Sequence, residues 1–177
     1  MKKLIAVTAF SLLALSCSDK LTESKVKSLV NNCLSKKSSD ETVDLTAGQL
    51  HLLTKDEIST YQKLQSKGLL TIEIKPAEQY SSGYHLITLT DKAKPFVLNS
   101  HFRGDANVHT VRLYTKKVDK IGSIQEMPAM NIASVKITYK KDDKTPFYDE
   151  LENDKTDFVI KNITLKKTEN NGWVYCD

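Results

Sequence analysis

Four histidines, His51, His85, His101 and His109, are the side chains of this chain best suited to moving protons near neutral pH. They are scattered. None stands in a nucleophile motif, and neither G-x-S-x-G nor H-E-x-x-H occurs. Glycine is scarce at six residues, and none forms a phosphate-cradling loop. His101, Asp105 and His109 are spaced by four, which on a helix would put three metal-type ligands on one face. Gly104 and the polar stretch 99–107 (NSHFRGDAN) argue against a helix there, so a solvated turn is the reading and no metal is assigned. The acidic run Asp149, Glu150, Glu152, Asp154 and Asp157 offers paired carboxylates or a calcium loop. It lacks the spacing and central glycine of a calcium-binding loop, and its lysine neighbours mark a solvated turn. Lys116, Lys117, Lys136, Lys140, Lys161, Lys166 and Lys167 would make a basic patch if they gathered on one face. The blander reading is the wet side of a sheet, where edge lysines also block strand-to-strand aggregation. No catalytic residue and no cofactor is assigned.

The clearest signal stands at the start. Met1-Lys2-Lys3 is a short positive segment, and Leu4 to Leu15 (LIAVTAFSLLAL) is an apolar run of signal-peptide length. The run is too short for a permanent span. It ends in Ala14-Leu15-Ser16-Cys17. These residues resemble the lipobox of bacterial lipoproteins, with Ala14 where that class usually has Leu. The resemblance implies cleavage before Cys17 and acyl chains on that cysteine. Two other readings stand beside it: an ordinary secretory signal cut after Ser16, and a cytosolic protein with an apolar first helix. Ser18 stands directly after the cysteine, where Asp resembles an inner-membrane retention signal; the resemblance therefore implies the outer membrane, on its periplasmic face. Arg103-Gly104-Asp105 also matches a tripeptide that some host-cell adhesins display, and it is read here as a loop.

Composition narrows the classes. Cleavage before Cys17 removes sixteen of 177 residues and, with Lys2 and Lys3 gone, lowers the formal charge from +4 to +2. A nearly neutral chain has little electrostatic reason to seek nucleic acid. Arg103 and Arg112 are its two arginines, a poor supply for bidentate contacts to guanine. No nucleic-acid partner is expected. If Cys17 is acylated, Cys33 and Cys176 remain, and in an oxidising compartment they either pair or stay as buried thiols.

The elements follow from periodicity. Val26, Leu29, Val30, Cys33 and Leu34 predict an amphipathic helix capped by Thr22. Residues 42–53 alternate in part. Thr54-Lys55-Asp56-Glu57 is a capping box, Ile58, Tyr61 and Leu64 line one helical face, and Gly68 stops the helix. Strands are expected at 69–75 and 84–90. Leu64, Gly68, Leu69, Leu70, then Leu89, Thr90 and Asp91 resemble the second half of a winged-helix domain over about residues 20–98. Farther on, 108–118 reads as a strand, 119–130 as irregular, 132–140 as the cleanest strand, and 158–167 as another. Asn171-Gly172 is a hairpin turn into a closing strand.

The expectation is therefore an α+β protein. Residues 1–16 form a signal peptide, 17–22 a lipidated tether, and 23–98 a helix-rich, winged-helix-like lobe. Residues 99–107 form a hinge and 108–177 an antiparallel β-meander lobe. The functional reading is a non-enzymatic, membrane-anchored envelope lipoprotein that binds a protein partner. The alternatives are an envelope hydrolase with a shallow His/Asp site and a cytosolic winged-helix nucleic-acid binder.

Overall fold

The computed structural model describes residues 20–77 and 83–176. Cys17, the signal segment and part of the loop after residue 75 lie outside them. Eight strands form one antiparallel sheet in the order β2-β3-β1-β5-β6-β7-β8, with β4 added to β5. They are β1 (Asp40–Leu50), β2 (Leu70–Lys75), β3 (Tyr84–Leu89), β4 (Val97–Arg103), β5 (Ala106–Met127), β6 (Ile132–Asp142), β7 (Phe158–Thr168) and β8 (Gly172–Val174). The helices are α1 (Glu23–Lys37), α2 (Lys55–Ser66) and the single turn α3 (Tyr148–Leu151).

This corrects the expected architecture. There is no helix-rich half followed by a separate meander. β1, from the first part of the chain, pairs with β5 from Asp40↔Thr115 to Gly48↔Ala106. α1, also from the first part, packs on the C-terminal strands: Val26 and Val30 share a core with Val135, Ile137, Leu165 and Trp173. α2 covers the other end, where Tyr61 and Leu64 pack with Leu45, Leu69, Leu70, Ile87 and Phe147. α2, β2 and β3 form a helix-hairpin unit. Gly68 takes φ +72°, and Thr90 donates its hydroxyl to the Gly68 carbonyl at 2.7 Å. That unit is one end of the larger sheet.

β5 contains the strand expected at 108–118, but local signals cut it short. Its 22 residues run through 119–127, expected as irregular. Two register shifts, between Val118 and Lys120 and between Ile121 and Ile124, absorb the break in alternation, so Ile121 and Ile124 still face the core. A Cβ on Gly122 would stand 3.2 Å from the Lys136 carbonyl, so the glycine serves close strand approach. Residues 99–107 carry most of β4 and its turn at Gly104 (φ +63°) into β5.

Local readings fared well elsewhere. Thr22 caps α1 by accepting from the Lys25 amide, and Thr54 and Glu57 form the reciprocal capping box. Val135, Ile137 and Tyr139 are all buried on one side of β6. In α1, Cys33 faces inward and bonds to Cys176, with the Cα atoms 5.5 Å apart. The bond ties the first helix to the last described residues across 143 positions of sequence. Leu21, within the stretch read as tether, is 4% exposed, and its amide donates to Glu126 Oε1 at 2.9 Å.

The long loop closed by Cys33–Cys176 makes this bond a large stabiliser in the chain-entropy account, on the order of 4–5 kcal/mol. Thermal unfolding of a Cys33→Ala, Cys176→Ala double variant should show a Tm lowered by many degrees. An unchanged Tm would remove the bond from the stability of the fold. Phe147→Ala, at a fully buried position, should cost about 3–5 kcal/mol in denaturant titration.

Candidate functional site

A cleft of about 580 Å³ lies in the α2 half, lined from β1, β3, β4 and β5. β3 and β4 are separated in the sheet by β1 and β5. Both line the cleft, so the sheet must curl there into a trough. Ala47 and Ile87, both buried, form its floor with Leu89 and Val97 beside them. Lys94, Ser100, Asn107 and His109 supply polar atoms. Lys94 is already paired with Asp91 at 2.6 Å.

Within the trough Ser100 and His109 are cross-strand partners of β4 and β5. The Ser100 hydroxyl and His109 Nδ1 are 2.7 Å apart. Partial burial pushes the imidazole pKa below its usual value, because the charged ring loses water. A hydroxyl against a neutral imidazole is the first contact of a nucleophile–base pair. Among the described residues no carboxylate hydrogen-bonds the His109 ring, so nothing there orients the base as a triad acid would.

The other candidates disperse. His101 is exposed on β4, next to Ser100 in sequence and so on the opposite side of the strand. Asp105 is exposed at the β4–β5 turn, so Arg103-Gly104-Asp105 forms a hairpin tip. His51 stacks obliquely on Tyr84, with ring centres 5.6 Å apart. His85 lines a small apolar hollow with Tyr61 and Ile72, its buried Nδ1 without a hydrogen-bond partner. Among the described residues no three of His, Cys, Asp and Glu come together as a metal set.

The acidic run is a lysine-neutralised brace. Lys67, the C-cap residue of α2, reaches Asp149 at 2.8 Å and Glu150 at 3.0 Å. Lys144 holds Asp157 at 2.6 Å. Lys155 donates to the carbonyls of Tyr148, Asp149 and Glu152. The hydrogen bond from Lys67 holds the Asp149 carboxyl below the usual carboxylate range. Lys141 is 3% exposed, donates to the Asp154 carbonyl, and stands over the Tyr114 and Tyr148 rings at 5.2 and 5.4 Å. Lys67, at the end of the helix that the nucleic-acid alternative needs, is thus committed to carboxylates.

The lysine stripe also divides. Lys116 and Lys161 turn to Glu41, at 2.8 and 3.9 Å. Lys167 stands 6.0 Å from the Trp173 ring centre. Lys117 and Lys136 are on the opposite side of the sheet, as their alternation with Lys116 and with Val135 and Ile137 requires. The seven lysines therefore do not all share one face. Burial alone would raise the Glu41 carboxyl, and the hydrogen bond and charge of Lys116, aided by Lys161 and Lys141, more than offset this and lower it.

Sequence reading missed the Ser100–His109 pair. Its signal, a serine and a histidine nine residues apart around Gly104, has meaning only once the hairpin register is known. No protein-family model, curated protein or solved structure matches this chain.

Two measurements check these electrostatics. The His109 ring should titrate, by NMR, with a midpoint below the free-histidine value of about 6.5. Its folded pKa is depressed, so its contribution is full above the unfolded value and is lost as pH falls through the folded one. His109→Gln should lose that acid-side step; a midpoint at or above 6.5 contradicts the burial argument. Glu41→Gln, which leaves the largely buried Lys116 without its carboxylate, should destabilise by roughly 1–2 kcal/mol, between the exposed-pair and buried-pair limits.

Proposed function

We propose that this protein is a lipoprotein of the bacterial cell envelope, held in the outer membrane by acyl chains on Cys17 and facing the periplasm. In this reading it acts without catalysis, by binding an envelope protein partner. The trough between β3 and β4 is its binding surface, with an apolar floor for a side chain and Lys94, Ser100, Asn107 and His109 for polar groups. The observation that carries the reading is the Cys33–Cys176 bond beside the lipobox-like ending at Cys17. Such a bond persists in oxidising compartments, and it leaves Cys17 as the one cysteine open to acylation. Among the described residues no helix is long and apolar enough to cross a membrane, and an acyl anchor needs none.

The Ser100–His109 contact favours a second reading, a shallow hydrolase site with Ser100 as nucleophile and His109 as base. The carboxylate to orient that base does not stand beside it among the described residues.

Intact mass of the protein from membrane fractions of its own host, with and without reductant, tests the first reading. The expected chain begins at Cys17, carries added acyl mass, and gains about 2 Da on reduction as one disulfide opens. A soluble, unmodified chain that still carries Met1 would sink it.

A further inference from the structure

The tether is short, and the place where it joins the fold is fixed. Leu21 is buried in the core beneath α1, and its amide is bonded to Glu126 near the end of β5. Three residues separate Cys17 from Leu21. Fully extended, that stretch spans at most about 14 Å. Acyl chains on Cys17 would therefore hold this end of the sheet within that distance of the lipid headgroups.

The surface waiting there is apolar at its tip. β5 turns into β6 through Pro128, Ala129 and Met130, all exposed, with Met130 at 66%. Asn131 closes the turn in the left-handed region, φ +53°. Lysines flank it. Lys166 pairs with Ile132 in the ladder, and the Lys167 amide donates to the Asn131 carbonyl at 2.7 Å. Lys20, exposed, precedes the buried Leu21. Glu126 is occupied by the Leu21 amide, Glu23 and Glu169 also lie near this end, and the tether itself carries Asp19. Charges here nearly balance, so the tether and the apolar turn set the orientation.

We propose that the β5–β6 turn is the face this protein sets against the lipid bilayer, with Met130 entering the headgroup boundary and Lys20, Lys166 and Lys167 lying at headgroup level. The proposal rests on acylation of Cys17. Long lysine side chains extend their apolar stems along such a boundary and keep the charge in water. The β4–β5 turn, with exposed Phe102, lies at the opposite end of β5 and points its apolar tip away from the lipid.

The test uses the full chain purified from host membranes and reconstituted into phosphatidylcholine vesicles. With Cys17 acylated and Cys33 bonded to Cys176, Met130→Cys supplies one free thiol for a polarity-sensitive fluorophore. Phe102→Cys is the matched control. Label at 130 should shift to shorter wavelength and be quenched severalfold by lipids carrying nitroxide on their acyl chains, while label at 102 keeps its aqueous spectrum. Two results overturn the proposal while the anchor stands: an aqueous spectrum at 130 in protein whose mass shows the acyl chains, or equal quenching at both sites. A mass without acyl chains on Cys17 overturns the anchor and this orientation together.

Discussion

The ladder of β5 is the constraint on which the rest depends. Its first half is hydrogen-bonded to β1 and β4, and its second half to β6. The handover occurs at Thr115, which pairs with both Asp40 and Asp142. One strand thus belongs to two apolar cores, one beneath α2 and one beneath α1. The bulges near Val118 and Ile121 raise the local twist, which lets one continuous sheet wrap two helices on separate stretches.

Between the cores lies a polar seam. Along β5 the inward positions run Tyr114, Lys116, Val118, from one core to the other. Along β6 they run Tyr139 and then Lys141. Lys116 is neutralised by Glu41 at the start of β1, and Lys141 by the Asp154 carbonyl, the nearby Glu152 and two tyrosine faces. Buried lysines are costly without such partners. The segment 145–157, rich in acids, supplies them, while Phe147 and Tyr148 plug the first core. An acidic run that invited a catalytic or calcium reading is the clamp on this seam.

The trough has the same origin. β3 and β4 flank β1 and the first half of β5 in the sheet, yet the curl of the sheet brings them to one hollow. The hairpin register sets Ser100 opposite His109. Shifting the register by one residue would swap His101 into the trough and turn Ser100 out, because side chains alternate across a strand.

The sequence by itself determined what closes within a few residues. The Thr54–Glu57 box, the Gly68 stop, the α1 stripe with Cys33 inward, the alternation of β6 and the turn at Gly172 all satisfy their hydrogen bonds or burial locally, so residue type and spacing suffice. The pairing of Cys33 with Cys176 was one of two open outcomes until the fold brought α1 to the last strand. Tertiary structure alone decided the partners. β1 carries only partial alternation, and nothing within it names β5. Residues 119–127 hold Gly122 and lose their period at two bulges, yet pairing with β6 keeps them in the strand. The free energy that settles these choices comes from burying one sheet face against two helices, in cores that join residues as distant in sequence as Val30 and Trp173, and no local pattern encodes that sum.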